Sequence, residues 1–260
     1  MIAEVRFSPQ VRYMARLIPF MFALVLLASG CALNDAAKNR SLYHYQMGQS
    51  FYAENNFTGA LVEFTEAEKL TPKDPTLLNY LGLAYFRKGR YGLAEVEYLR
   101  AIDLRPAYSE ARNNLGVCYL EMKRWDDAVR QFKQVQDDIF YLGQESAAIN
   151  LGLAYLGKGD YPQALVVLRG AVARNSADPR TRLHLGRVYF ALGKPELAIG
   201  EYRKALELNG SYASAYYNLG LAQVKLNDAT GARSAFKEVI RITPDSEIGQ
   251  LSKEHLDLLK

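Results

Sequence analysis

The side chains able to do chemistry in this 260-residue chain are few and scattered. Its three histidines are His44, His184 and His255, and none has a second His or a Cys at metal-ligand spacing on its own predicted helix. They read as ordinary surface or core residues. Gly157-Lys158-Gly159-Asp160 superficially suggests a phosphate cradle, but no Lys-Ser/Thr follows it, and a turn explains both glycines. The acidic pairs Asp126-Asp127 and Asp137-Asp138 fall where helices should begin or end, so capping and solvation account for them. The chain carries no nucleophile elbow and no metalloprotease motif. The reading is that it is not an enzyme. No cofactor, metal or small-molecule substrate is expected.

Two thiols remain. Cys118 sits between Val117 and Tyr119 inside a predicted helix and reads as a small buried hydrophobe. Cys31 stands in a different setting. Arg12 and Arg16 precede an apolar run from Leu17 to Ala28, and Ala28, Ser29 and Gly30 close it. The run is too short for the roughly 20 residues of a membrane-spanning helix. Its layout is that of a secretory signal. The stretch Leu26-Leu27-Ala28-Ser29-Gly30-Cys31 resembles the lipobox of bacterial lipoproteins, with Ala28 where that family prefers Leu. The resemblance implies residues 1–30 as a cleaved leader and Cys31 as the site of lipid attachment. Two or three acyl chains, at about 0.8 kcal/mol per buried methylene, anchor a protein stably. Ala32, rather than Asp, follows the cysteine. By the family's sorting rule that implies the periplasmic face of the outer membrane. The alternative is ordinary cleavage after Gly30, leaving Cys31 a thiol. Met14 opens a complete shorter leader, so translation can start there or at Met1.

Composition is that of a folded protein, 49% hydrophobic and 23% charged. The formal charge of +4 is small and forms no concentrated basic face, so no nucleic-acid partner is expected.

What must position any functional surface is a repeat. Gly48, Gly82, Gly116, Gly152, Gly186 and Gly220 follow one another at 34 or 36 residues. Twelve residues after each stands an alanine: Ala60, Ala94, Ala128, Ala164, Ala198 and Ala232. Each unit reads as two helices. The first carries an apolar residue, the glycine and usually an aromatic three further on, as in Leu81-Gly82-Tyr85. The second carries patterns such as Ala94-Tyr98-Ala101, which lie on one helical face. A glycine inside a helix costs about 1 kcal/mol relative to Ala. Its recurrence predicts a close approach of two helix backbones. Pro72, Pro106 and Pro244 end second helices, whereas Pro162 and Pro195 fall just inside second-helix starts.

This length and pattern resemble the tetratricopeptide repeat. The resemblance implies an all-α, right-handed superhelix of six helical hairpins at 41–74, 75–108, 109–144, 145–178, 179–212 and 213–246, preceded by a lipidated tether at 31–40. A capping helix follows at 247–260, with Ile248, Leu251, Leu256 and Leu259 on its apolar face. In that family the first helices line a groove. Their inner faces by helical spacing carry Tyr45, Gln49 and Tyr52; Asn79, Leu83 and Phe86; Asn113, Val117 and Leu120; Ile149, Leu153 and Leu156; Leu183, Arg187 and Phe190; and Tyr217, Leu221 and Val224. Such a surface suits an amphipathic helix or extended segment of a partner. The favoured contacts are Tyr45, Tyr52, Leu83, Phe86, Ile149, Leu153, Phe190 and Tyr217. Each has a second reading, packing between adjacent first helices.

The third repeat is two residues longer, and Asp138-Ile139-Phe140-Tyr141 stands where the usual proline-ended turn would be. A lipobox, six repeats and this stretched repeat resemble the type IV pilus biogenesis lipoproteins, the pilotins, although Leu142 follows Tyr141 where that family usually has Pro. The resemblance implies a non-catalytic scaffold that binds secretin subunits, with membrane contact through its lipid alone. The alternative is a general periplasmic adaptor lipoprotein, for example for peptidoglycan hydrolases.

Overall fold

The structure, a computed structural model, describes residues 35–259. Cys31 and the expected leader lie outside them. Among the described residues every regular element is a helix, which places the chain in the all-α class. The chain divides into two compact units between Arg105 and Pro106.

The described part of the first unit holds α1 (residues 35–53), α2 (Phe57–Leu70), α3 (Pro75–Arg87) and α4 (Tyr91–Leu104). The second holds α5 (Ser109–Glu121), α6 (Trp125–Gln136), α7 (Gln144–Lys158), α8 (Tyr161–Arg174), α9 (Pro179–Ala191), α10 (Pro195–Leu208), α11 (Ala213–Lys225), α12 (Ala229–Ile242) and α13 (Glu247–Leu258). Odd- and even-numbered helices up to α12 pair as hairpins. Residues 35–40, within the stretch expected as a tether, are helical and belong to α1, and 31–34 lie outside the described residues. Ala36, Ala37, Lys38 and Arg40 are strong helix formers, so nothing stops the helix at Ser41.

The turn inside each hairpin is closed in the same way. Asn55, Gly89, Lys123, Gly159, Gly193 and Asn227 all have φ between 56° and 82°. The residue after each returns its N–H to the carbonyl of the residue four before the turn residue, as from Arg90 to Tyr85 at 2.9 Å and from Arg124 to Tyr119 at 2.8 Å. This left-handed cap satisfies helix-end carbonyls, and glycine adopts it freely. Asp74, Asp160, Asp178 and Asp228 cap helix starts by accepting from backbone N–H groups one turn in.

The recurrent glycines do make room, but for a side chain rather than for a backbone. A Cβ on Gly82 would come within 2.5 Å of the Tyr98 ring, on Gly116 within 2.6 Å of Phe132 and on Gly220 within 2.7 Å of Phe236. Gly48 and Gly186 are closer still to Phe64 and Tyr202, while Gly152 meets Leu168 at 2.6 Å. Those side chains project from the second helix and are fully buried. Each hairpin is therefore keyed by one large side chain laid on a bare helix surface.

The last helix docks differently from its expected apolar face. Gly249 and Ser252 are its buried residues, whereas Ile248, Leu251, Leu256 and Leu259 are half-buried flanks. Gly249 lies against the carbonyls of Thr243 and Pro244, where a larger residue would not fit. The helix approaches too closely for a leucine line at its centre.

Candidate partner-binding surfaces

In the first unit, Tyr45 and Tyr52 of α1 are joined by Tyr80 of α3. Tyr80 meets Tyr45 edge-on at 5.4 Å and Tyr52 at 6.5 Å, and it leans on Phe64 of α2 at 5.7 Å. Tyr52 also meets Phe57 at 5.4 Å. The guanidinium of Arg87 lies 4.5 Å from the Phe57 ring centre and donates to Asn55 Oδ1 at 3.1 Å. Such aromatic pairs contribute about 0.5–1.5 kcal/mol beyond burial. Both predicted tyrosines are consequently half-buried and fixed by neighbours. Leu83 and Phe86 are also half-buried, the latter against Tyr91 at 5.4 Å.

Tyr45 keeps an open side. With Ser41, Leu42, Pro72, Pro75 and Leu77 it lines a depression of about 630 Å³, with Lys38 and Lys73 at the rim. Gln49 Nε2 donates to the Tyr45 hydroxyl at 3.0 Å, holding that ring's polar end. Asp74 lines the depression as well, so the surface can take an apolar group flanked by charges of both signs.

In the second unit, Leu153 lies where its helical face predicts, in a slot of about 300 Å³ formed with Leu120, Leu156, Gly157 and Trp125. Glu121 and Arg187, both exposed, flank it. Trp125 is the chain's single tryptophan and begins α6. Its ring covers Gly157, where an added Cβ would lie 2.6 Å from Cε3. Two contacts hold this corner. Lys158 pairs with Asp126 at 2.6 Å, and the Arg124 guanidinium lies 4.4 Å from the Tyr119 ring centre. The ion pair is largely exposed, so it orients the corner more than it stabilises it. Three leucines, an indole and one charge of each sign suit an apolar side chain carried on a polar segment. The slot brings together no nucleophile and general base.

Two predicted contacts are placed elsewhere. Ile149 is only 3% exposed and belongs to the core, as do Leu183 and Asn79 at the equivalent position of their repeats. The same position is half-buried in the other three repeats, at Tyr45, Asn113 and Tyr217. Tyr217 packs on Phe236 at 6.0 Å and on His255 of α13 at 6.1 Å, so the last helix covers it. His255 itself stacks on Phe236 at 4.8 Å, a packing role. Phe190 is half-buried and lies outside the slot. Cys118 is fully buried. Trp125 is a wall that helical periodicity of the first helices cannot reveal, because it starts a second helix. The signal for it lay in the second helices: Phe57, Tyr91 and Tyr161 stand at the equivalent position, and glycine stands at 157 where the other repeats hold Ala53, Arg87, Glu121, Ala191 and Lys225.

Comparison with known proteins agrees with this architecture. Family models described as "Tetratricopeptide repeat" match residues 45–108, 86–139, 155–201 and 213–246, and one described as "TPR repeat" matches 186–227. The tetratricopeptide repeat domain-containing protein PYG7 of Arabidopsis thaliana chloroplasts is 29% identical over 133 residues, 48% of this chain and 43% of that protein. The chain spans less than half the length of the curated relatives it matches. Among solved structures, PilF of Pseudomonas aeruginosa superposes with a TM-score of 0.68 at 20% identity, covering 85% of this chain and 99% of that one. PilW, described as a widely conserved type IV pilus biogenesis factor, gives 0.74 at 19%, covering 81% and 97%. At such identities the likeness establishes a shared fold. The repeat matches, the keyed hairpins and the recurrent left-handed turn agree, and the chain belongs to the tetratricopeptide-repeat family.

Proposed function

We propose that this chain is a non-catalytic scaffold, a lipoprotein tethered through Cys31 to the periplasmic face of the outer membrane. There it binds secretin subunits and promotes their assembly for type IV pilus biogenesis. The observation that carries the reading is the slot of Leu120, Leu153, Leu156 and Trp125, an apolar recess flanked by Glu121 and Arg187. A recess of this kind accepts a side chain from a partner segment. Structural likeness to PilF and PilW over more than four-fifths of the chain adds the pilus setting. The mechanism is tethering: a lipid that confines the bound subunit to one membrane raises its effective concentration there.

Trp125 makes the test direct, because the chain's tryptophan emission comes from the slot alone. Titrating the purified chain with the periplasmic part of the cognate secretin should shift that emission to a saturating end point. Leu153→Ser with Leu156→Ser should weaken binding at least tenfold while keeping helicity. In cells, Cys31→Ala should leave the chain soluble and the secretin rings misplaced. An unchanged emission with unchanged rings refutes the reading. Saturating binding of a peptidoglycan hydrolase instead selects the general-adaptor alternative.

A further inference from the structure

The connection between α6 and α7 does something the other inter-hairpin turns do not. It presents Ile139, Phe140 and Leu142 at 80%, 86% and 101% exposure. The loop beneath them is firmly built. Asp138 accepts from the Ser109 hydroxyl at 2.5 Å and from the Phe140 N–H at 3.1 Å, and its carbonyl accepts from the Tyr141 N–H at 3.1 Å. The Gln144 side chain donates to the carbonyls of Val135 at 3.1 Å and of Asp138, tying the end of α6 to the start of α7. Tyr141 folds back over Gly143, half-buried, and burial raises its pKa. Beside the exposed trio lies a depression of about 660 Å³ lined by Ala107, Tyr108, Glu110, Asn114 and Tyr141.

Three large apolar side chains held outward by a hydrogen-bonded loop are poorly placed for an isolated molecule. Contiguous apolar patches of this kind mark interaction sites. Size and charge select the occupant. The trio offers on the order of 400 Å², half of the about 800 Å² per partner that a stable interface between folded domains buries. A second copy of the chain is therefore disfavoured, and a short segment fits. Exposed Glu110 and half-buried Asp138 line the depression beside the patch, and exposed Asp137 immediately precedes the loop. The nearby cation, Arg112, is occupied, donating to the Pro106 carbonyl at 2.8 Å and to Gln134 at 2.5 Å in an adjoining depression that Asp137 and Asp138 also line. An acidic border repels an anionic bilayer and attracts Lys or Arg. We infer that the α6–α7 loop docks a short partner segment carrying adjacent apolar side chains beside a basic one. This surface is distinct from the Trp125 slot. The loop lies at the start of α7 and Leu156 near its end, about 18 Å along a helix rising 1.5 Å per residue. The inference does not rest on the identity proposed above.

The test is a selection of random twelve-residue displayed peptides against the full chain and against its Phe140→Ser/Leu142→Ser variant. Both side chains are exposed, so the double variant should keep its helicity and melting temperature. Peptides enriched on the native chain should carry an apolar pair next to Lys or Arg. A synthetic peptide from that set should bind the double variant at least tenfold more weakly. Asp137→Asn with Glu110→Gln should weaken it several-fold, while Leu153→Ser should leave it unchanged. The inference is overturned by enrichment of acidic or uncharged peptides, or by failure to enrich any peptide that separates the native chain from the variant. It is equally overturned by dimerisation, or binding to anionic phosphatidylglycerol vesicles, that the double variant abolishes.

Discussion

Gly186 and Gly200 lie in one hairpin, on α9 and α10, and adding one methyl group to each should have opposite effects. Gly200 is inside a helix with nothing within 4 Å of an added Cβ. Gly200→Ala therefore gains helix propensity alone, about 1 kcal/mol. Gly186 gains the same propensity, but its Cβ would lie 2.6 and 3.1 Å from two Tyr202 ring atoms and nearer still to a third. Tyr202 is 1% exposed and has no open side to move toward. Overpacking a closed core costs about 1–3 kcal/mol, and this geometry belongs at the upper end. The net expectation is a loss of about 1–2 kcal/mol for Gly186→Ala, so the two variants should differ by about 2–3 kcal/mol. At about 2–4 °C per kcal/mol for chains of this size, their melting temperatures should be roughly 5–10 °C apart.

A double-mutant cycle identifies the cause. Tyr202→Ala is itself costly, about 3–5 kcal/mol, but it empties the space the new methyl needs. In that background Gly186→Ala should become neutral or stabilising, a coupling of about 1–3 kcal/mol. Urea unfolding followed by circular dichroism at 222 nm supplies the four values. If Gly186→Ala stabilises the native chain as much as Gly200→Ala, the ring-on-glycine key is not what fixes the hairpin. Arg187 adjoins Gly186, so a displaced α9 should also disturb the slot it flanks.

Lys123 is the one turn residue of its set that is neither Gly nor Asn, at φ 56°. Lys123→Gly should stabilise by about 0.5–1 kcal/mol by removing left-handed strain, and an unchanged urea midpoint would count against that. Burial, reinforced by repulsion from Arg187, lowers the His184 pKa from 6.5 to about 4. The unfolded chain binds the proton between those values and the folded chain does not. Stability from this group is thus complete above about pH 6.5 and lost as the pH falls toward 4. The loss should be on the order of 2–3 kcal/mol between pH 7 and 4, relative to His184→Gln measured over the same range. Equal pH dependence in the two proteins would refute it. Gly157→Ala should push the indole of Trp125 off the helix and red-shift its emission, with melting temperature within a few degrees of native; an unmoved spectrum would show that the ring does not rest there.

Much of the fold was legible because the repeat reuses one mechanical part. Gly82 and Ala94 mark the hairpin, Tyr98 keys it, and Gly89 closes its turn; each announces itself by residue type at fixed spacing. Lys123 occupies the same turn without announcing it, since tertiary packing holds there a conformation its side chain disfavours. The surface was harder to read, and Ile149 and Leu153 show why. They are four residues apart on one helical face, yet the first is buried and the second lines the slot. Periodicity gives the direction of a side chain but not the distance to the next helix along that direction. Residue 149 and its equivalents Asn79 and Leu183 are buried, whereas Leu153, one turn later, lines the slot. What walls that slot is Trp125, which belongs to another helix altogether. The same limit applied to the stretched loop. Its two additional residues were countable, but the outward turn of Ile139, Phe140 and Leu142 depends on Tyr141 folding over Gly143 and on Gln144 capping α6. A binding surface on a repeat scaffold is thus set by departures from the repeat. The residues that carry it are the glycine at 157, on which the aromatic that recurs at Phe57, Tyr91 and Tyr161 is here an indole, and the apolar residues of one overlong turn.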